Sequence, residues 1–191
     1  MFIASGLVIA VIIIVVVIVV LLLVFIGMYN GLVKLRNAVE EAFSTMDVYM
    51  KKRFDLIPNL VETVKGYAEH EKETLENVVQ ARNMAQSAGT PEDRIMWEGQ
   101  LTGALKSLFA VVEGYPQLQA NEGFLGLQRQ LNSVEEDIAN ARKYYNGTVR
   151  MYNTKTEVFP SALVASMFHF GRKPLYEITD AVERENVKVQ F

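Results

Sequence analysis

The chain has no cysteine and only two histidines, His70 and His169, among its 191 residues. Without cysteine, disulfide bonds and a lipid attached to a thiol are excluded. Neither histidine follows a Glu by three residues, and Thr74 stands where a zinc-protease helix would carry its second histidine. Glycine-rich phosphate loops and nucleophile elbows are also missing. We therefore expect no enzyme activity, no bound metal and no cofactor.

Basic residues do not outnumber acidic ones, since 19 Lys and Arg stand against 22 Asp and Glu, for a net charge of −3. A nucleic-acid-binding face would need clustered positive charge. The run Lys51-Lys52-Arg53 is short and typical of a solvated helix face. We therefore expect no nucleic-acid partner.

Charge is missing from the N-terminal stretch, where all 20 residues from Leu7 to Ile26 are apolar. As a helix this run is about 30 Å long, which matches the hydrocarbon core of a bilayer. The pattern predicts a transmembrane anchor over residues 1–28, with the lipid bilayer as a partner. A cleaved signal peptide is the alternative, although Met1 to Gly6 contains no Lys or Arg.

Basic residues beside the span predict its orientation. None precedes it, whereas Lys34 and Arg36 follow it closely. Because cytoplasmic flanks of spans are enriched in Lys and Arg, we expect the N-terminus outside and the following domain in the cytoplasm. Translocation of the domain is the alternative.

Beyond the span, apolar residues recur at the three- and four-residue spacings of an amphipathic helix. They are Leu32, Leu35, Val39, Ala42, Met46 and Tyr49, and then Ile57, Leu60, Val64, Ala68, Leu75, Val78 and Met84. We expect one helix to continue from the span to about Ser87. Pro58 should kink it near Phe54 to Asp55, with a complete break as the alternative.

Three more helices are predicted. Thr90-Pro91-Glu92-Asp93 has the cap, proline and acid of a helix start, and this second helix should reach about Glu113. A third begins near Asn121 with a regular heptad stripe to Tyr152, typical of bundle or coiled-coil packing. A short apolar helix from Ser161 to Phe170 follows. The fold class is all-α: a transmembrane helix continues into an antiparallel up-and-down bundle over residues 29–174, with three long helices and a short fourth.

Polar residues lie on or near the apolar stripes, where each would need a partner because burying an unpaired amide or charge is costly. They are Asn37, Arg53, Asp55, Asn59, Arg82, Arg142, Asn146 and Asn153. We expect them to fix helix register and partner choice, with a peptide or ligand site as the alternative. The dipeptide Tyr145-Asn146 recurs one heptad later as Tyr152-Asn153.

The short fourth helix is followed at once by Arg172 and Lys173. Packing against the bundle is one interpretation. The other is an interfacial helix on the bilayer, formed by Phe159, Met167, Phe168 and Phe170. Residues 175–191 are expected to form a mobile tail, and its alternating Val187, Val189 and Phe191 suggest the alternative of a strand added to a protein partner's sheet.

Several motifs of the chain resemble the LemA family of bacterial membrane proteins. They include Tyr29-Asn30-Gly31-Leu32-Val33, Lys52-Arg53-Phe54-Asp55-Leu56-Ile57-Pro58-Asn59-Leu60-Val61, Val64-Lys65-Gly66-Tyr67, Glu113-Gly114-Tyr115-Pro116, Tyr145-Asn146 and Phe159-Pro160. The resemblance implies a single span in the inner membrane and an up-and-down bundle, and it brings no catalytic residues.

One branch of that family is linked to the formation of membrane compartments. The first predicted helix is also longer than the second helix can cover, which leaves part of it for a partner. The sequence therefore favours a self-associating membrane scaffold, a homo-oligomer, with a membrane-tethered binding or signalling adaptor as the alternative.

Overall fold

A computed structural model describes residues 2–176, which contain six α-helices. The side chains of residues 2–9 and 91 are not described. No strand occurs among these residues, which confirms the predicted all-α class. The helices are α1 (Phe2–Lys65), α2 (Lys72–Ser87), α3 (Pro91–Val112), α4 (Pro116–Gln119), α5 (Glu122–Glu157) and α6 (Ser161–Met167).

The apolar run lies in the first part of α1. From Val11 to Val24 each large apolar side chain is between 47% and 63% exposed, so no face of this stretch packs against protein in the structure. α1 is the one helix among the described residues that is long and apolar enough to cross a membrane. This agrees with the predicted span between Leu7 and Ile26.

The chain divides into two compact units. The first comprises Met1–Glu41 with Gly147–Lys173, and therefore takes in the start of α1, the end of α5 and α6. Its buried residues include Leu32 and Val39 on α1, Val149 and Tyr152 on α5, and Val164 and Ala165 on α6.

The second unit comprises Ala42–Asn146 with Pro174–Phe191, of which Pro174 to Tyr176 are described at the C-terminal end. It holds a helical-bundle core from the rest of α1, from α2, α3 and α4, and from most of α5. The predicted stripes supply most of that core, including Met46, Ile57, Leu60, Val64, Leu101, Leu108, Leu131, Val134 and Ile138.

The prediction of one helix up to Ser87 is wrong, because α1 ends at Lys65 and α2 starts at Lys72. Gly66, a poor helix former, follows the last residue of α1. The next amides bond to nearby carbonyls in turn geometry, from Tyr67 N to Val64 O at 3.0 Å and from Glu71 N to Ala68 O at 3.1 Å. Ala68 within this turn is buried, so the apolar spacing alone did not show the break.

The second helix starts as predicted. Thr90 Oγ1 accepts a hydrogen bond from the Asp93 amide at 3.1 Å and donates to Asp93 Oδ2 at 2.8 Å. Pro91 occupies the first turn, where its missing N–H is harmless. α3 ends at Val112, one residue before the expected Glu113. The short α4 between α3 and α5 was not predicted.

Pro58 does not break α1, which continues seven residues beyond it to Lys65. Because proline has no N–H, the carbonyl of Phe54 loses its partner in the helix. Arg82 of α2 replaces that partner, since its Nε donates to Phe54 O at 3.1 Å. An arginine from the neighbouring helix thus satisfies the backbone group that Pro58 leaves unpaired.

Replacing Arg82 by Met should lower the free energy of unfolding by about 1–2 kcal/mol, because the Phe54 carbonyl is left without a donor. In a Pro58→Ala background the same change should cost clearly less, since an alanine at this position supplies the helical N–H. Urea unfolding of the four proteins in mild detergent, followed by circular dichroism, measures both costs. Equal costs in the two backgrounds would contradict the pairing.

Candidate functional site

A deeply buried charged group of the second unit is Arg53 on α1, which is 1% exposed. Its Nη2 forms an ion pair with Glu98 of α3. Its Nη1 donates to Glu135 Oε1 of α5 at 2.7 Å and to Thr102 Oγ1 at 3.3 Å. One guanidinium therefore connects three helices.

This cluster, Arg53 with Glu98, Thr102 and Glu135, contains two carboxylates and one positive charge. Glu98 is fully buried, and within residues 2–176 no hydrogen-bond partner is found for its Oε1. Glu135 is partly exposed, so solvent screens its charge. A buried charge without a counter-charge close to it strongly destabilises the fold. The contacts of Arg53 therefore fix the register of α1, α3 and α5.

A second group of contacts holds the chain after α6 to α5 in the second unit. Asn146 binds both backbone groups of Tyr176: its Nδ2 donates to Tyr176 O at 2.9 Å, and its Oδ1 accepts from Tyr176 N at 2.8 Å. The neighbouring Tyr145 hydroxyl donates to Pro174 O at 2.9 Å. The Arg142 guanidinium lies 5.5 Å from the centre of the Tyr176 ring.

Burial sets the acidity of the two tyrosines in this group. It raises the pKa of the Tyr145 phenol to about 12, and the charge of Glu92 acts in the same direction. Burial also raises the pKa of Tyr176, although the positive charges of Arg53 and Arg142 oppose this. Both phenols therefore keep their protons at physiological pH.

The same arrangement recurs in the first unit with Tyr152-Asn153. Asn153 donates from Nδ2 to Lys173 O and accepts from Lys173 N, both at 2.9 Å. The Tyr152 hydroxyl donates to Gly171 O at 3.0 Å. Each Tyr-Asn clamp, Tyr145-Asn146 and Tyr152-Asn153, thus uses one hydroxyl and one amide to pair backbone groups of residues 171–176, which lie outside the helices.

An aromatic group in the first unit surrounds the end of α6. The Phe168 ring lies 4.7 Å from Tyr29 and 6.0 Å from Phe25, measured between ring centres. Phe170 lies 5.8 Å from Tyr29 and 5.4 Å from the Arg36 guanidinium. All three partners belong to α1: Phe25 lies at the end of the apolar run, and Tyr29 and Arg36 lie beyond it.

The chain reverses between Phe168 and Phe170. Phe170 N donates to Ala165 O at 2.9 Å and His169 N to Ser166 O at 3.4 Å, the paired bonds of a Schellman helix end. His169 takes the left-handed conformation with φ 56°, which usually favours glycine. As a result Phe170 is buried whereas Phe168 is exposed.

The polar candidates from the sequence fall into two groups. Those that bond to another helix or contact the segment after α6 are Arg53, Arg82, Arg142, Asn146 and Asn153. The exposed ones are Asn37, Asp55 and Asn59. Asp55 lines a surface hollow of about 390 Å³ with Lys52, Gln130 and Asp137.

The candidates for an interfacial helix also separate. Phe159, Met167 and Phe168 are exposed, and Phe170 is not. Within the predicted tail, Leu175 and Tyr176 are described and Tyr176 is buried. The suggested strand at Val187, Val189 and Phe191 lies outside the described residues.

The sequence patterns predicted neither the burial of Glu98 nor the hydrogen bonds from α5 to the backbone after α6. Glu98 shares one helix face with Leu101, Leu105, Leu108 and Val112, all buried. The apolar spacing instead predicts a stripe of Trp97, Leu101, Ala104, Leu108, Val111 and Tyr115, and of these six residues Leu101 and Leu108 alone are buried. An acid in register with four apolar residues was the available signal for the buried ion pair.

No group of three or more His, Asp or Glu side chains that can hold a metal occurs in the part of the chain that the structure describes. The polar contacts join helices to each other or to backbone outside the helices, and their chemistry is suited to fixing the fold. A groove on α1 and α2 has apolar side chains at its base.

The fold and these contacts define an all-α protein with one N-terminal helix long and apolar enough to cross a membrane, followed by a helical bundle. The family model described as LemA family matches residues 42–191. The chain belongs to the LemA family.

Individual relatives are distant in sequence. Protein LemA of Metamycoplasma hominis is 24% identical over 168 residues, which cover 86% of this chain and 75% of the relative. Magnetosome protein MamQ 2 of Paramagnetospirillum magneticum is 25% identical over 78% of this chain and 64% of its own length. Magnetosome protein MamQ of Magnetospirillum gryphiswaldense is 24% identical over 75% of this chain and 62% of its own. The chain thus spans less than two thirds of the magnetosome relatives.

Replacing Arg53 by Met should lower the free energy of unfolding by about 3–5 kcal/mol, because Glu98 is left buried without its counter-charge. The double variant with Glu98→Gln should recover part of this loss. Lys51→Met, a nearby exposed change, should have little effect. Urea unfolding in mild detergent measures all three, and a loss for Arg53→Met no larger than for Lys51→Met would contradict the assignment.

Stability should fall as pH rises from about 10 to 12, because Tyr145 loses its proton near pH 10 when unfolded and near 12 when folded. In that range the unfolded state has lost the proton and the folded state keeps it. Tyr145→Phe should remove this contribution and cost about 1 kcal/mol at neutral pH through the lost hydrogen bond. Thermal unfolding against pH measures both, with the exposed neighbour Tyr144→Phe as control. An unchanged pH profile for Tyr145→Phe would contradict the prediction.

Proposed function

We propose that this protein is a membrane-anchored helical scaffold that self-associates and organises the bacterial membrane. The main support for this proposal is that α1 is one uninterrupted helix, Phe2–Lys65, which contains both the apolar run and buried residues of the bundle. A chain built this way is held at the membrane by the element that forms its own core. A non-enzymatic role agrees with contacts that serve to hold helices together.

Self-association is supported by an apolar groove on the second unit. The groove has a volume of about 820 Å³ and lies between the end of α1 and α2. Val61 and Leu75 form its floor, and Val79 and Met84 are exposed along it. Exposed apolar side chains grouped in this way are typical of a protein interface.

A second copy of the chain fits the charges of this groove. Its charged lining residues are Glu62, Lys65, Glu69, Lys72 and Glu76, which include both signs. In a two-fold contact the same surface meets itself, so mixed charges allow Lys of one copy to face Glu of the other. Anchoring in one membrane also raises the effective concentration of copies for each other.

Location and orientation are part of the proposal. The apolar run from Leu7 to Ile26 supports a location in the inner membrane, and Lys34 and Arg36 after it favour a cytoplasmic bundle. Relatives named magnetosome proteins agree with a role at bacterial membranes.

A binding or signalling adaptor with a polar site among the helices has less support. Arg53, Asn146 and Asn153 bond to groups of this chain, and Asp55 and Asn59 lie at the surface. Polar groups already paired within the fold offer little to a ligand.

The full-length protein in mild detergent should have a mass above that of the monomer at micromolar concentration, and the mass should fall on dilution. Val79→Glu should shift it towards the monomer, because burying that carboxylate in the interface costs several kcal/mol. Sedimentation velocity or mass photometry measures both.

The control is Val48→Glu, an exposed apolar position of the second unit outside the groove. It should leave the mass distribution unchanged. If the wild-type protein is monomeric at all concentrations, the scaffold proposal is wrong. Equal effects of the two substitutions would place the contact elsewhere.

A further inference from the structure

We propose that the exposed face of α6, together with Phe159 before it, inserts into the interfacial layer of the bilayer that α1 crosses. We call this face, Phe159, Leu163, Met167 and Phe168, the α6 apolar face. The inference rests on the proposed membrane anchoring and adds a second lipid contact to it. The partner is the boundary between acyl chains and headgroups on the side of the bundle.

The depth follows from the ring contacts on α1. Phe25 lies in the last turn of the apolar run, and Tyr29 lies three residues, about 4.5 Å, beyond Ile26. The interfacial layer is about 5–7 Å thick on each side of the hydrocarbon core. Since Phe168 contacts both Phe25 and Tyr29, its ring lies where hydrocarbon gives way to headgroups. The end of α6 is therefore at the membrane surface.

α6 has two distinct faces. Ser161, Val164 and Ala165 are buried in the first unit. Leu163 and Met167, four residues apart, are 60% and 65% exposed, and Phe159 before the helix is 82% exposed. Packing accounts for the first face only. Phe168, whose ring contacts α1, is still 47% exposed, so four large apolar side chains on this face remain largely uncovered in the structure.

The basic residues near α6 suit lipid headgroups. Arg172 follows α6 and is exposed, with its Nε 3.0 Å from Glu157 Oε1. On α1, the exposed Lys34 lies eight residues past the apolar run, about 12 Å. Apolar side chains beside basic ones are the composition of helices that lie in the interfacial layer.

Continuity with the span favours lipid over a second copy as the cover. The exposed apolar surface of α1 from Val11 to Val24 must be covered by acyl chains if the helix crosses the bilayer. Phe168 contacts Phe25 directly after that surface ends. The α6 apolar face thus adjoins a surface that lipid already covers.

The experiment uses single-cysteine variants, which need no background changes because the chain has no cysteine. Leu163→Cys and Met167→Cys are labelled with the environment-sensitive fluorophore NBD in the full-length protein. The proteins are reconstituted into phosphatidylethanolamine and phosphatidylglycerol vesicles. Two quenchers are compared: lipid carrying a doxyl group high on its acyl chain, and iodide in solution.

We expect both α6 labels to lose about half of their emission or more with doxyl lipid and to resist iodide. The matched control is Val48→Cys, an exposed apolar position of the second unit, which should respond only to iodide. A label at Leu22→Cys, inside the apolar run, reports whether the span itself is in the bilayer.

Each other outcome overturns the inference. If Leu22 is quenched by doxyl lipid but the α6 labels respond only to iodide, α6 stays in water and the anchoring alone stands. If the α6 labels resist both quenchers, protein covers them and a second copy is the occupant. If the Leu22 label is not quenched by doxyl lipid, the anchoring fails and the inference fails with it.

Discussion

Backbone groups that leave the helical pattern must still find hydrogen-bond partners, and this constraint explains the polar contacts of the fold. Pro58 frees the Phe54 carbonyl within α1, and Arg82 of α2 takes it up. The segment of residues 171–176 after α6 lies outside the helices, and tyrosine and asparagine side chains of α5 pair its backbone groups. A proline inside a long helix and a non-helical segment would otherwise leave backbone groups unpaired. Side chains from neighbouring helices turn both into fixed contacts.

The buried ion pair follows a related rule for charge. Arg53 and Glu98 are inaccessible to solvent, so each depends on the other. Replacing both by apolar residues can be tolerated in proteins, whereas removing one is severe. The pair therefore specifies how α1, α3 and α5 align more than it adds stability. In a bundle of apolar stripes, such a pair excludes alternative registers.

Much of the fold could be predicted because helix periodicity and capping are local. The long apolar start of α1, the start of α3 at Pro91 and the stripe of α5 could be predicted from the sequence. The turn after Lys65 was missed because Ala68 keeps the apolar spacing through the break. The hydrogen bond from Arg82 to Phe54 could not be predicted from local patterns, since it joins residues 28 positions apart in the sequence. Glu98 was missed because the predicted stripe of α3 was partly out of register with the buried face.

The two Tyr-Asn clamps hold main-chain atoms, and this has an evolutionary consequence. Side chains of residues 171–176 can drift without loss of those hydrogen bonds, provided that positions 173 and 176 keep an N–H. Proline is accepted at 174 because only its carbonyl is used. Asparagine and tyrosine on α5, in contrast, have no substitutes of equal reach and donor pattern. Homologous chains should therefore vary in sequence at residues 171–176 and keep the two Tyr-Asn dipeptides that bind this segment.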